Sequence, residues 1–137
     1  MRLDSQLLFS DAQAITGNAV STNVVELSKP EGKFSEVAFG KPIPLLMQVV
    51  EDFNNLTSLK IAIQTCADDA FASAKTLVET TLLAADLKAG KRFPVIEVPA
   101  GNENYMRLEY TVAGAAPTAG KITAGIVDCV DNSYHNM

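Results

Sequence analysis

Tryptophan is absent, histidine occurs once, and cysteine occurs twice in 137 residues. Each scarcity removes a class of chemistry. The single histidine, His135, stands two residues from the end of a polar tail. A catalytic imidazole needs a fixed partner and a rigid support, so His135 is not expected to act as a base. Without a second histidine, no Ser-His-Asp or Cys-His centre can be assembled within one chain. Cys66 and Cys129 are far apart and share no CxxC or Cys/His spacing, which leaves no zinc motif. They could form a disulfide only if the fold brought their α-carbons within about 7 Å, and buried free thiols are the commoner outcome.

Basic charge is also sparse: 11 Lys and Arg against 16 Asp and Glu give a net charge of −5. The longest basic cluster, Lys88 to Arg92, is too short to follow a phosphate backbone. Neither nucleic acid nor a membrane surface is therefore an expected partner. No apolar run approaches the roughly 20 residues that span a bilayer, and Leu7-Leu8-Phe9 is too short for the core of a secretion signal. A soluble protein made in the cytoplasm is expected. The glycines fit neither GxGxxG nor GxxxxGK[ST] and read as turn or bulge positions. Adjacent residues in a strand face opposite sides, so neither Glu51-Asp52 nor Asp68-Asp69 converges unless it lies in a loop; Asp68-Asp69 lacks the spacing of a calcium loop and reads as a solvated turn. No catalytic residue, metal ligand or cofactor is expected.

What the chain has in quantity is Val, Ile, Leu and Thr, arranged with period two. β-Branched side chains fit a pleated surface better than a helix. Strands are predicted over Val20–Leu27, Leu45–Phe53, Leu59–Cys66, Tyr105–Val112 and Lys121–Val130, with a short one near Arg92–Val98 interrupted by Pro94. Leu45, Met47 and Val49 share one face, and so do Met106, Leu108 and Tyr110. Residues 68–87 are ambiguous. Asp68 or Asp69 could cap a helix, but the Thr- and Val-rich run after Lys75 alternates, and a loop followed by a strand is predicted. Seven or eight short strands with regular turn signals predict an all-β, jelly-roll or β-sandwich domain over 20–130. A flexible tail is expected over 131–137.

Residues 1–19 form an N-terminal arm without clean periodicity, carrying Leu7, Leu8, Phe9 and Ile15. Two placements fit equally well. The segment is either an extra edge strand covering the sandwich, or an extended arm whose apolar residues bind a partner. Burying each large side chain is worth roughly 1.5–3 kcal/mol in either case.

Several runs carry a resemblance. Leu3 to Thr16 (LDSQLLFSDAQAIT) and Ser21 to Leu27 (STNVVEL) resemble the opening of capsid cement, or decoration, proteins of short-tailed phages of the Bordetella podophage type. Asn104 to Val112 (NYMRLEYTV) and Thr118 to Gly125 (TAGKITAG) are similar to that family's closing strands. The resemblance covers both ends, while the middle matches only in strand rhythm. It implies a jelly roll on the outer surface of the virion's capsid, stapling neighbouring major capsid subunits. It also implies self-association as a homodimer, with a trimer as the other option. The alternative is a carbohydrate- or receptor-binding module on the virion. With no Trp and three Tyr, the sequence offers few aromatic platforms for a sugar.

Overall fold

The computed structural model describes residues 3–26, 43–68, 70–93, 97–98 and 105–127, with backbone alone for 3–6. The expected tail over 131–137, Cys129 and His135 lie outside these residues. The described residues form eight strands: β1 (Leu3–Ala14), β2 (Ala19–Val20), β3 (Val25–Glu26), β4 (Leu45–Glu51), β5 (Leu56–Cys66), β6 (Lys75–Leu83), β7 (Tyr105–Gly114) and β8 (Lys121–Val127). One 3-10 turn, Ala84–Asp86, follows β6. The run after Lys75 is thus a strand, preceded by a loop in which the Asp68 carboxylate accepts from Ala72 N–H at 3.3 Å.

All pairings are antiparallel and form two sheets, β1-β8-β4 and β2-β7-β5-β6, with β3 also on β7. Residues 91–93 and 97–98 lie along the far side of β4 through bridges Gln48–Arg92 and Pro44–Glu97. Counting β2 with β3 as one broken strand and these bridged residues as another gives eight runs among the described residues. Their sheet orders are first-eighth-third-sixth and second-seventh-fourth-fifth, the arrangement of a jelly roll.

The period-two pattern sorts side chains between the layers. Leu45, Met47 and Val49 of β4 stand opposite Ile126, Ala124 and Ile122 of β8. They face Leu59, Ile61 and Ile63 of β5 and Met106, Leu108 and Tyr110 of β7, all buried in one core. The outward rows are polar where water reaches them: Lys60, Glu79, Glu109 and Arg107 alternate with core residues on the second sheet. Burial of Leu87 and Phe93 draws the 84–93 segment over the β4 side of the sandwich. Backbone bonds from Phe53 N–H to Leu87 (3.1 Å) and from Phe93 N–H to Met47 (2.8 Å) hold it there.

The N-terminal segment takes the edge-strand placement within its own chain. Strand β1 pairs with β8 from Leu3↔Val127 to Ala14↔Lys121. It is an edge strand of the first sheet.

Candidate partner surface

Four residues of the N-terminal segment are the candidates for partner binding, and the fold separates them. Phe9 and Ile15 are fully buried in the core of their own chain. Leu7 is half-buried and packs against that core. Leu8 points the other way, over the outer face of the first sheet, with its side chain across Gly125. A methyl group at Gly125 would lie 2.9 Å from Leu8 Cδ2 and 3.1 Å from the Leu7 carbonyl oxygen, so glycine is what lets β1 approach β8. Phe9 and Ile15 are therefore structural residues of the core here, and of the four only Leu8 belongs to an outward face. Val50 of β4 lies on that same sheet's outer side, 40% exposed.

The lack of clean periodicity in β1 has a local cause. Its register on β8 shifts between Leu8 and Ser10 and again between Ser10 and Gln13. At each of these two shifts β1 uses one more residue than its partner, the signature of a bulge, and a further irregularity lies between Leu3 and Leu8. Ala12 accordingly takes φ +48°, and its N–H bonds Thr123 Oγ1 at 2.9 Å instead of a ladder carbonyl. One bulge places both Phe9 and Ser10 inside.

Ser10 then joins the two sheets. Its hydroxyl donates to Gln13 Oε1 at 2.6 Å, so the Tyr110 hydroxyl, 2.7 Å from Ser10 Oγ, is the donor in that second contact. Gln13 Nε2 donates to the Val20 carbonyl, and Gln13 Oε1 also accepts from Thr22 N–H. Ser21 extends the clamp, with its Oγ accepting from Leu108 N–H and donating to the Asn23 carbonyl. Burial pushes the Tyr110 phenol well above its ordinary pKa. This polar cluster is fully partnered and closes the β1 side of the sandwich.

The end of the molecule formed by the β4–β5 and β7–β8 loops is similarly tied to itself. Asn54 Oδ1 accepts from Thr118 and Ala119 N–H, and Asn54 Nδ2 donates to Thr118 Oγ1. The pair Glu51-Asp52 is split between two loops: Glu51 accepts from Gly120 N–H, and Asp52 accepts from Ala89 N–H at 2.6 Å. On the outer face of the second sheet, Gln64 bridges Arg107 and Glu109, and the Arg107 guanidinium lies 4.3 Å from the Phe71 ring centre. A shallow depression beside β2 is lined by Asn18, Ala19, Val20, Glu109, Tyr110 and Thr111. Among the described residues, no three His, Cys, Asp or Glu side chains are placed to hold a metal ion, and no helix is long and apolar enough to cross a membrane. Cys66 is a buried free thiol.

Among the described residues, the large apolar side chains that reach solvent are Val20, Val24, Val50 and Leu83, the last 62% exposed. Sequence reasoning passes over them, because each sits in an alternating run where one face is assumed to be core. The available signal was the doublet Leu82-Leu83 at the end of β6, which cannot place both side chains inside a strand of period two.

The fold defines a jelly-roll β-sandwich protein whose polar side chains mainly serve its own loops and layers. The chain belongs to the Bbp16 family, whose model matches residues 9–126. The family name points to a Bordetella phage protein. No curated protein matches the chain.

Proposed function

We propose that this protein is a capsid cement protein, binding the outer surface of a phage head and stapling neighbouring major capsid subunits. The observation that carries the proposal is the Bbp16 match across residues 9–126, which spans nearly the whole sandwich. The N- and C-terminal runs that resemble podophage cement proteins support it. In this reading the protein acts through its surface and catalyses nothing.

The physics suits the task. Packaged DNA strains the junctions between capsomers, and a rigid body attached to two subunits must release both contacts to leave. Weak contacts joined in this way hold well without a strong site. A jelly roll supplies the rigid body, with both sides of its core closed by backbone bonds. The proposed coat-facing surface is the outer side of the first sheet, where Leu8 and Val50 are the apolar contributors. The working unit is a self-associated homodimer.

Cosedimentation with coat-protein shells that lack the protein tests this. Saturable binding at near one copy per coat subunit is expected. A folded protein that stays in the supernatant at saturating concentration would refute the proposal.

A further inference from the structure

Strand β6 is the outermost strand of the second sheet, paired on one side with β5 and, among the described residues, with no strand on its other side. Open strand edges template pairing with another chain, and proteins usually blunt them with proline, inward charges or bulges. Along Leu77–Leu83 there is no proline, and the single charge, Glu79, faces outward with its side chain 51% exposed. The only irregularity is a register shift at Leu77, near the start of the strand.

We propose that two copies of this chain join through β6, antiparallel, about a two-fold axis at Thr80. This deepens the homodimer named above and rests on it. The sequence of the edge carries the proposal, because the polar/apolar pattern of Leu77-Val78-Glu79-Thr80-Thr81-Leu82-Leu83 reads the same in both directions. Centred on Thr80, Val78 meets Leu82 of the second copy, Glu79 meets Thr81, and the half-buried Leu77 meets the exposed Leu83. Thr80 meets itself, and a Thr pair across strands is favourable.

Neighbouring registers are worse. A shift of one residue would place the core face of one copy on the solvent side of the other. An axis at Glu79 sets the two carboxylates opposite each other, and an axis at Thr81 sets Glu79 opposite Leu83. The Thr80 register also extends the inner row: Val78, Thr80 and Leu82 border the core, and the second copy would continue that layer across the axis.

One substitution separates dimer contacts from fold contacts. Thr81 is exposed and stands directly across from Lys60 on β5 of its own chain. Lys60 already pairs with Glu79 of its own chain at 3.7 Å, so a charge at 81 changes little within the chain, yet Thr81→Glu faces Glu79 of the second copy twice by symmetry. Thr81→Lys faces the same Glu79 with the opposite charge. Sedimentation equilibrium of the isolated proteins should show the dimer about tenfold weaker for Thr81→Glu and tighter for Thr81→Lys. Equal dimer constants for both variants, or a wild-type monomer at every soluble concentration, would overturn the β6 interface. Because no shells are present, these outcomes are separate from the capsid-binding test.

Discussion

Tyr110 shows how one residue can join layers that its sequence position does not reveal. Its alternation with Met106 and Leu108 marks it as core, and all three are fully buried. The hydroxyl is then a polar atom in an apolar layer and needs a partner. That partner, Ser10, lies 100 positions away and comes inside only because β1 bulges. Burial holds the folded phenol neutral at a pH where an unfolded tyrosine already ionises. The unfolded chain thus loses its proton first as pH rises, and stability falls. Below pH ~10 this contribution is intact, and above it about 1.4 kcal/mol is lost per pH unit. Denaturant melts between pH 9 and 11.5 should show that slope in the wild type. Tyr110→Phe should remove the added loss above pH ~10, at a cost near neutral pH of about 1 kcal/mol. An unchanged slope would assign alkaline loss to other groups.

At the scale of elements, the central strands were legible and the N-terminal one was not. Strands β4, β5, β7 and β8 are flanked by neighbours in regular register over most of their length, so alternation survives in their sequences. Strand β1 interrupts its own alternation with bulges, and its hydrophobic residues then read as an unordered arm. The predicted strand from Val20 to Leu27 is instead two short pieces on the edge of β7, because Ser21 turns its hydroxyl to Leu108 N–H between them. The fit of β1 against Gly125 can be tested. Gly125→Ala forces a methyl against Leu8 and the backbone of Leu7, and overpacking of this kind typically costs about 1–3 kcal/mol. Amide exchange should rise along β1 while the β5–β6 and β5–β7 ladders stay protected. Exchange rising uniformly, or not at all, would show that β1 does not depend on this close approach.

For the whole molecule, the period-two runs of Val, Ile, Leu and Thr made the β-sandwich legible, while the scarcity of His and Cys supports only the expectation that the protein acts through its surface. The partner surface was less legible. Of Leu7, Leu8, Phe9 and Ile15, hydrophobicity alone cannot separate an anchor from a core residue; only the register of β1 does so, leaving Leu8 facing outward. The edge of β6, unpaired among the described residues, was hidden for a related reason, since a strand's sequence does not state how many neighbours it has. In the proposed role, a rigid jelly roll would strengthen a shell by bridging its subunits. The direct measurement is the disassembly temperature of coat-protein shells with and without saturating protein, read by light scattering. The account predicts a higher disassembly temperature when the protein is bound, with less of that gain for Thr81→Glu at equal occupancy. Shells that bind the protein and disassemble at the same temperature would contradict it.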